Sequence, residues 1–282
     1  MDSQRGDAAL SVGDGPGNGI LEDMLLEDMA RVLILGGTTE ARLLGERLAR
    51  RGGLDVSLSL AGRTLSPVPH AVPVRIGGFG GAGGLADYIV KERVDVLIDA
   101  THPYATMISE NAIAAAQQTR VPFVALRRAP WIAGAGDRWI EVIDTLAAVQ
   151  ALGEAPRRVF VALGRNELAP FVGAPQHFYL IRSVDPVDPP LPLPHARYVT
   201  ERGPFSEAHD RALMTEHKID AVVAKNSGGN AAYGKIAAAR ALCVEVIILR
   251  RPQETDGPAV HTIDDAIAWL DHAVTPAVAR GV

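Results

Sequence analysis

The residues best placed to bind a phosphorylated cofactor lie in the segment 31–41, where apolar residues run into paired glycines and a helix-forming sequence. This pattern predicts a first β-strand, a tight turn and a helix N-terminus, which is where α/β proteins hold phosphate groups. Gly36 and Ala41 occupy the first and third positions of the G-x-G-x-x-G/A fingerprint, but Thr38 replaces its second glycine. From these residues alone, a dinucleotide site and an ordinary strand-to-helix turn both stay open.

Two further loops would complete a dinucleotide site. Arg63 follows the second predicted strand, 22 residues after Ala41, near the position where NAD-binding proteins carry an acid. A guanidinium there suits a 2′-phosphate and favours NADP over NAD; the alternative is a solvated surface arginine. Thr101, His102 and Tyr104 follow the fourth predicted strand, where a dinucleotide domain faces the nicotinamide ribose. His102 there would either orient the cofactor or transfer a proton.

Basic residues follow several predicted strands in the second half of the chain: Arg165, Arg182, Arg202 and Lys225. Because the carboxyl ends of parallel strands meet at one edge of a sheet, we expect a basic rim suited to a polyanionic ligand. The alternative is separate solvated or ion-paired charges, each contributing at most about 1 kcal/mol. The sequence contains no metal-ligand spacing, nucleophile elbow or Walker loop, so we expect no metal.

The elements that would position these residues occur twice. Strand-like apolar runs alternate with amphipathic helical segments, which predicts parallel sheets with helices on both faces. Four pairs of landmarks recur in the same order, 120 to 128 residues apart: Gly36 and Gly164, Asp95 and Asp220, Arg127 and Arg250, Asp144 and Asp264. We therefore predict an α/β fold of two similar Rossmann-like, doubly wound parallel-sheet halves with the active site in the cleft between them. The alternative is that the halves are not repeats, because the sequences of any two doubly wound halves share such landmarks.

The predicted boundaries are an acidic extension at 1–29 and two halves at 30–153 and 157–275. A chain of 282 residues has room for two medium domains. The extension carries seven acidic residues against one basic residue and is rich in glycine, so we expect it to be disordered. The net charge of −5 therefore belongs to the extension, and the remainder is close to neutral.

Several partners and compartments are not supported by the sequence. The body has no basic stripe of the kind that binds nucleic acid. No apolar run approaches the ~18 residues of a membrane span, and the extension lacks the basic start and apolar stretch of a signal peptide. We expect a cytoplasmic protein with no nucleic-acid or membrane partner. Cys243, the single cysteine, borders an apolar run and is expected to be a buried structural thiol.

Six motifs taken together resemble the precorrin-6A reductase family of cobalamin biosynthesis. They lie in order within residues 30–273: Gly-Gly-Thr-Thr-Glu-Ala at 36–41, Ala-Gly-Arg at 61–63, Gly-Gly-Phe-Gly-Gly at 77–81, Asp-Ala-Thr-His-Pro-Tyr-Ala at 99–105, Gly-Arg-Asn-Glu at 164–167 and Lys-Asn-Ser-Gly at 225–228. The run at 99–105 is the most specific. The resemblance implies NADPH-dependent reduction of one macrocycle double bond in precorrin-6A, giving precorrin-6B, a tetrapyrrole rich in carboxylates.

The resemblance also implies roles for residues. The half at 30–153 would bind NADPH through Gly36, Gly37, Thr38, Thr39, Glu40, Arg63, Thr101, His102 and Tyr104. The half at 157–275 would bind the tetrapyrrole through Arg165, Arg182, Ser183, Asp185, Arg202, Lys225, Ser227 and Gly228. Lys225 with Asp185 is the expected source of a proton or of electrostatic help, and His102 is a further catalytic candidate. Thr38 fits the family's own turn, and we expect a monomer.

Two other classes of protein share the predicted architecture. Nucleotide-sugar transferases and epimerases also pair two Rossmann-like halves around a cleft and need no metal. A non-catalytic two-lobed sensor would close on an anionic ligand in a similar cleft. Arg63 and the His-Pro-Tyr loop at 102–104 favour the reductase, since they suit a 2′-phosphate and a nicotinamide ribose.

Overall fold

Strands and helices alternate along the computed structural model, which describes residues 29–62, 69–253 and 255–278. The strands are β1 (Ala30–Leu35), β2 (Leu54–Leu60), β3 (Val74–Ile76), β4 (Val96–Asp99), β5 (Phe123–Leu126), β6 (Trp139–Val142), β7 (Arg158–Ala162), β8 (Phe178–Ser183), β9 (Ala196–Thr200), β10 (Ala221–Lys225), β11 (Glu245–Leu249) and β12 (Ala259–Val260). The α-helices are α1 (Thr39–Leu48), α2 (Ala82–Lys91), α3 (Thr106–Thr119), α4 (Thr145–Leu152), α5 (Glu207–Glu216), α6 (Gly234–Ala241) and α7 (Ile263–Val278). Two short 3-10 helices, Arg165–Glu167 and Ala169–Gly173, follow β7. The predicted acidic extension, apart from its last residue, lies outside the described residues.

The described strands form two parallel sheets of six strands each. The first has the order β12-β5-β4-β1-β2-β3 and the second the order β6-β11-β10-β7-β8-β9. The winding direction reverses between β1 and β4 in the first sheet and between β7 and β10 in the second. Ligands of open α/β sheets bind beyond the carboxyl ends of the strands at such a switch point. The predicted fold class of two similar doubly wound halves is confirmed.

The halves exchange their last strands. β6 follows β5 along the chain but pairs with β11 of the second sheet, where Trp139 lies opposite Val246. β12 follows β11 but pairs with β5 of the first sheet. The helix after each exchanged strand goes with it, because Leu270 of α7 lies in the core of the first half and Leu152 of α4 in that of the second.

This exchange changes the predicted division of the chain. The sequence predicted contiguous halves at 30–153 and 157–275, whereas β6 and α4 belong to the second sheet and β12 and α7 to the first. Because the halves are repeats, β5 and β11 present equivalent edges for parallel pairing. The chain crosses to the other sheet after β5 and again after β11, so it passes between the halves twice.

Each sheet has a core on both of its faces, which explains the nearly continuous apolar sequences of its central strands. Val32 and Ile34 of β1 lie in the core shared with α1 and α7, whereas Leu33 and Leu35 lie in the core shared with α2 and α3. Phe160 of the equivalent strand β7 is also fully buried. Strands packed on both faces hold their carboxyl ends firmly, and the loops that follow them form the candidate site.

The cysteine prediction is wrong, since Cys243 is exposed. It follows the end of α6 with a φ of 54°, the left-handed conformation that commonly terminates a helix. The chain therefore turns at Cys243 before it enters the apolar strand β11.

Candidate active site

Thr38 holds the turn between β1 and α1. Its side-chain oxygen accepts a hydrogen bond from the backbone N–H of Ala41 at 3.1 Å and so caps α1. Its hydroxyl donates to the carbonyl of Ala100, beyond β4, at 2.8 Å. Gly36 lies so close to β2 that a Cβ there would come within 2.5 Å of Leu58 Cδ1. The predicted turn therefore forms, and the Thr38 side chain ties the ends of β1 and β4 together.

A buried ion pair fixes the loop after β4. Asp99 is fully buried and pairs with Arg127, whose guanidinium also donates to Ser109 Oγ at 2.7 Å. The second oxygen of Asp99 accepts hydrogen bonds from the backbone N–H of Thr101 at 3.0 Å and from its hydroxyl at 2.7 Å. The Thr101 hydroxyl is thus used inside the protein, and the network sets the direction in which the chain enters His102.

A cavity of about 170 Å³ opens at the carboxyl ends of β1, β2 and β3. It is lined by Gly36 of the first turn, by Ala61 after β2 and by the glycine-rich segment 77–81 after β3. A wall of glycine backbone allows a flat ligand to approach closely. The N-terminus of α1 supplies N–H donors and the positive end of the helix dipole for phosphate groups. These features fit a nucleotide cofactor. Its phosphate groups would lie beside Gly37, which is exposed, and Thr39, the first residue of α1.

Glu167 closes the second switch point. Its carboxylate accepts a hydrogen bond from the N–H of Gly164, after β7, at 3.1 Å. The other carboxylate oxygen lies 2.6 Å from Nζ of Lys225, at the end of β10. The same Nζ lies 4.8 Å from the ring centre of Tyr104, which belongs to the first half. The Lys225 ammonium is therefore held between a carboxylate and an aromatic face, where a ligand of the second sheet is expected.

The two switch points meet through the loops after β4 and β10. His102 Nε2 lies 3.2 Å from Ser227 Oγ. The Tyr104 hydroxyl donates to the carbonyl of Leu249 and accepts from the N–H of Asn226 at 2.9 Å. The structure thus brings together predicted site residues from both halves in the cleft between them.

His102 is held in its neutral form. Burial and the positive charges of Arg128, Lys225, Arg251 and Lys235 lower the pKa of His102 to about 3. At physiological pH the imidazole therefore carries one N–H donor and one acceptor nitrogen and no transferable extra proton. Of the two roles predicted for His102, this environment favours orientation of a neighbouring group over proton donation.

Tyr104 joins the two halves. Burial raises the pKa of Tyr104 to about 12, so the phenol keeps its proton. Its hydroxyl is engaged by two backbone groups of the second half, and its ring packs against the core of that half and beneath the ammonium of Lys225. The Tyr104 hydroxyl is therefore engaged inside the protein, and the contact of Tyr104 with a cofactor stays a prediction.

Two arginines hold the loop after β10 against the crossing segments. Arg128 pairs with Glu40 of α1 and donates from Nε to the carbonyl of Ser227. Arg251 donates to the carbonyls of Asn226 at 2.9 Å, Ser227 at 3.0 Å and Arg128 at 2.7 Å. The Glu40 carboxylate, predicted to contact the cofactor, is thus engaged by an arginine of the same half.

The predicted basic rim is only partly present. Arg182 is 5% exposed and forms an ion pair with Asp210, and its guanidinium lies 3.7 Å from the ring centre of Phe205. Arg182 belongs to β8 itself and not to the loop that follows, so its side chain points into a helix-covered face of the sheet. The prediction of Arg182 as a direct substrate contact is corrected accordingly, because Asp210 neutralises its charge inside the second half.

The other predicted substrate residues lie at the ends of strands or in the loops that follow them. Ser183 is buried and donates from Oγ to the carbonyl of Asp185 at 2.6 Å. Asp185 Oδ2 lies 3.7 Å from Nη2 of Arg165, so the carboxylate predicted to assist Lys225 lies beside Arg165 and the partner of Lys225 is Glu167. Arg165 and Arg202 are exposed, in the loops after β7 and β9. Gly228 is buried with a φ of 66°.

Three further predictions concern Arg63, a metal site and a membrane span. Arg63 lies outside the described residues, so its contact with a 2′-phosphate stays a prediction. Within 29–62, 69–253 and 255–278, no group of three or more His, Cys, Asp or Glu side chains could hold a metal ion. None of the helices in this described part is long and apolar enough to cross a membrane.

The sequence analysis assigned no role to five residues that hold the site together: Glu167, Asn226, Arg128, Arg251 and Trp131. Asn226 exchanges two hydrogen bonds with the backbone of Trp131, at 2.8 and 2.9 Å. The sequence did contain one indication of these residues, since paired arginines occur at the same place in each repeat, at 127–128 and 250–251. The sequence did not reveal their function because several partners are distant along the chain: Arg128 contacts Ser227 across 99 residues, and Arg251 contacts Arg128 across 123.

Comparison with known proteins gives one family. The family model described as Precorrin-6x reductase CbiJ/CobK matches residues 31–271. A precorrin-6A reductase from Sinorhizobium sp is 52% identical over 259 residues, covering 92% of this chain and 99% of that protein. Another from Rhodobacter capsulatus is 51% identical over 255 residues, covering 90% and 100%. A solved structure of CobK precorrin-6A reductase superposes with a TM-score of 0.84 at 50% identity, covering 87% of this chain and 97% of that one.

Proposed function

The chain belongs to the precorrin-6x reductase family, and on this basis we propose that it uses NADPH to reduce one macrocycle double bond of precorrin-6A to give precorrin-6B. The observation that carries the proposal is the alignment of precorrin-6A reductases over almost their whole length, with about half of the residues identical. The aligned region includes both switch points. The reaction is an oxidation–reduction at a CH–CH group in the biosynthesis of the corrin ring of cobalamin.

The first switch point supports the cofactor half of this proposal. The backbone of Gly36, Gly37 and Thr39 lies at the N-terminus of α1, where N–H groups and the helix dipole favour a pyrophosphate. Thr38 and Glu40 act on the turn itself, through the cap of α1 and the ion pair with Arg128. Bound NADPH would supply the hydride, and the residues around it would position the ring and exclude water.

The second switch point supports the substrate half. A macrocycle fringed with carboxylates is attracted by positive charge, and Lys225, Arg165 and Arg202 lie at or beyond strand ends of this sheet. Ser227 adds a hydroxyl on the side that faces His102. We assign Arg182 and Ser183 an indirect role, since both are buried beneath these loops.

Reduction of a carbon–carbon double bond by hydride also requires a proton. We assign this proton, or the stabilisation of the negative charge that precedes its transfer, to Lys225. Glu167 lies 2.6 Å from its Nζ and keeps the ammonium oriented. His102 is assigned the orientation of Ser227, because its pKa of about 3 leaves it neutral. Asp185 is assigned the positioning of Arg165.

The decisive experiment is NADPH oxidation by the purified protein with precorrin-6A. We expect NADPH absorbance to fall in proportion to the formation of a product two hydrogens heavier. Thermal shift supplies the binding test, since a ligand at a hundred times its Kd stabilises the folded state by about 2.7 kcal/mol. Selective stabilisation by NADPH over NADH and UDP-sugars is expected; stabilisation by a UDP-sugar alone, without NADPH oxidation, would refute the reductase.

The predicted role of Arg63 has its own test. A charge-assisted hydrogen bond to the 2′-phosphate is worth about 1.5–3 kcal/mol, or about a tenfold to hundredfold preference. Arg63→Ala is therefore expected to lose at least tenfold of the preference for NADPH over NADH. Arg50→Ala, an exposed arginine at the other end of α1, is the control. An unchanged preference would remove Arg63 from the site.

The role of Lys225 is tested by separating binding from turnover. Lys225→Met should lower kcat by about a hundredfold or more if the ammonium takes part in proton transfer. Glu167→Gln should have a smaller effect of the same kind, because it leaves the amine but removes its anchor. A rise in KM for precorrin-6A with kcat unchanged would make Lys225 a binding residue only.

We also propose that the enzyme acts as a cytoplasmic monomer without a nucleic-acid or membrane partner. The support for a monomer is that both switch points of the cleft come from the same chain. Size-exclusion chromatography with light scattering at working concentration tests this. A stable dimer whose dissociation abolished activity would contradict it.

A further inference from the structure

Arg75 stands out as a charged side chain that contacts the backbone of the glycine-rich segment after β3. It lies in β3, an edge strand of the first sheet, next to β2. Its Nη1 donates to the carbonyl of Gly77, and its Nη2 donates to the carbonyl of Gly78 at 2.9 Å. Its guanidinium carbon lies 3.9 Å from the ring centre of Phe79. One side chain thus contacts three consecutive residues of the loop.

Besides Arg75, the loop is held at its start by the N–H of Gly77, which donates to the carbonyl of Leu60 at 2.9 Å. Gly77, Gly80 and Gly81 have φ values of 119°, 83° and 99°, and a Cβ at any of them would meet nothing within 4 Å. No side chain packs at these positions, and glycine has the largest conformational freedom to lose. Phe79 packs edge-on against Tyr88 of α2 at 5.1 Å between ring centres. Arg75 covers the Phe79 ring and pins the carbonyls that precede it.

The loop that Arg75 holds forms a wall of the cavity described above. The segment 77–81 lines this cavity opposite Gly36 and beside Ala61. In a doubly wound sheet the pyrophosphate lies at the turn after β1, and the adenosine lies towards β2, whose end contacts the ribose. β3 is the next strand on that side, so the wall faces the adenosine end of a dinucleotide. The same cavity also reaches Thr101, after β4, and Ile108 and Asn111 of α3.

We propose that Arg75 is a positioning residue that holds the segment 77–81 in the shape that receives the adenosine end of the cofactor. The inference rests on the proposed use of NADPH and adds a determinant of cofactor affinity. Arg75 acts through the loop, since its donors are directed to the Gly77 and Gly78 carbonyls. Its loss should therefore weaken cofactor binding by a similar factor whether or not the 2′-phosphate is present.

The test is Arg75→Met, which keeps an apolar stem over Phe79 and removes the guanidinium. We expect Kd to rise about tenfold, equivalent to about 1.4 kcal/mol, for NADPH, NADH and 2′,5′-ADP. Reduced nicotinamide mononucleotide, which lacks the adenosine end, should bind as it does to the unaltered protein. KM for NADPH should rise with the Kd, while kcat at saturating NADPH stays within about twofold.

Two control variants accompany this one. Arg50→Met removes an exposed arginine remote from the cavity and should bind every ligand normally. Arg75→Lys keeps the charge but cannot donate to two carbonyls in a fixed fork, so it should restore only part of the affinity. The melting temperatures without ligand should be similar, because Arg75 lies on an edge strand outside the buried cores.

The outcomes separate the inference from the proposed function. If the unaltered protein binds neither NADPH nor 2′,5′-ADP, the proposed cofactor is wrong and the inference fails with it. If the unaltered protein binds both and Arg75→Met binds them equally well, only the inference is overturned. A loss confined to NADPH and 2′,5′-ADP would mean direct contact with the 2′-phosphate, and an equal loss for the mononucleotide would mean a general structural defect; either result overturns the positioning role.

Discussion

Lys235 is expected to make the stability of this protein rise with pH above neutrality. It lies in the first turn of α6, is 4% exposed and donates from Nζ to the carbonyl of Ala232 at 2.7 Å. Its ammonium lies 5.1 Å from the ring centre of Trp131. Burial, and then the positive charge of Arg182, lower the pKa of Lys235 to about 7 from 10.5, although Asp210 acts in the opposite direction.

The sign and size of the effect follow from linkage. In the unfolded chain the lysine titrates near 10.5, so between pH 7 and that value the unfolded state binds more protons than the folded state. The free energy of unfolding should therefore rise with pH across this window. At 1.36 kcal/mol per pKa unit, the buried charge costs at most about 5 kcal/mol at and below pH 7. Removal of the charge would recover this free energy, but it would also remove the hydrogen bond to Ala232 and the contact with Trp131. These two interactions stabilise the folded state by about 1–2 kcal/mol.

The perturbation is Lys235→Met, which keeps the volume of the side chain and removes its charge. At pH 6.5 this variant should be more stable than the unaltered protein by about 3 kcal/mol, and the difference should shrink as the pH approaches 9.5. Urea unfolding at several pH values measures this, with Lys91→Met as the control because Lys91 is exposed on α2. Other groups titrate in all three proteins, so the comparison between variants isolates Lys235.

Two results would refute the reasoning. The first is that, between pH 7 and 9.5, the free energy of unfolding of the unaltered protein does not rise relative to that of Lys235→Met. The other is a variant less stable than the unaltered protein at pH 6.5. Either result would mean that the folded protein hydrates Lys235 or pairs it with an acid well enough to keep it charged without cost.

Three further substitutions test how the site is held. Thr38→Ala should lower the free energy of unfolding by about 1–2 kcal/mol through loss of the cap of α1, and Thr38→Ser should recover most of it in urea unfolding; equal stabilities for Ala and Ser would contradict the cap. Asp99→Asn leaves Arg127 buried beside a neutral partner and should cost about 3–5 kcal/mol, measured in the same way, whereas a loss below about 1 kcal/mol would show the pair to be unimportant. Gly228→Ala places a Cβ 2.3 Å from the carbonyl oxygen of Ala129, at a residue with a positive φ. It should separate the halves and lower kcat/KM for NADPH oxidation by about tenfold or more. Unchanged kinetics would mean that the halves adapt to the extra methyl group.

The nature of the elements was predictable because it depends on local pattern. Buried parallel strands require near-continuous apolar runs, and the run before Gly36 met that requirement without reference to any other part of the chain. The repeat landmarks then predicted two equivalent sheets. Their similarity is also the reason why strand exchange was not predicted, since equivalent edges at β5 and β11 accept either partner.

The candidate site was predictable only in outline. The predicted loops do follow the ends of strands, where a parallel sheet can bind a ligand. The partners of individual charges were not. Arg182 was predicted to lie on the rim because it follows an apolar run, but it is still part of β8, where Asp210 of α5 neutralises it.

The sequence by itself determined two parallel-sheet halves, their repeat and the family to which the chain belongs, since these depend on patterns that neighbouring residues carry. Only the tertiary structure decided which sheet the last strand of each repeat joins and which charges remain available to a ligand. Arg128 reaches Glu40 across 88 residues, and Asn226 reaches Tyr104 across 122. Such contacts depend on how distant segments pack together, and a local pattern of apolar and charged residues does not specify them.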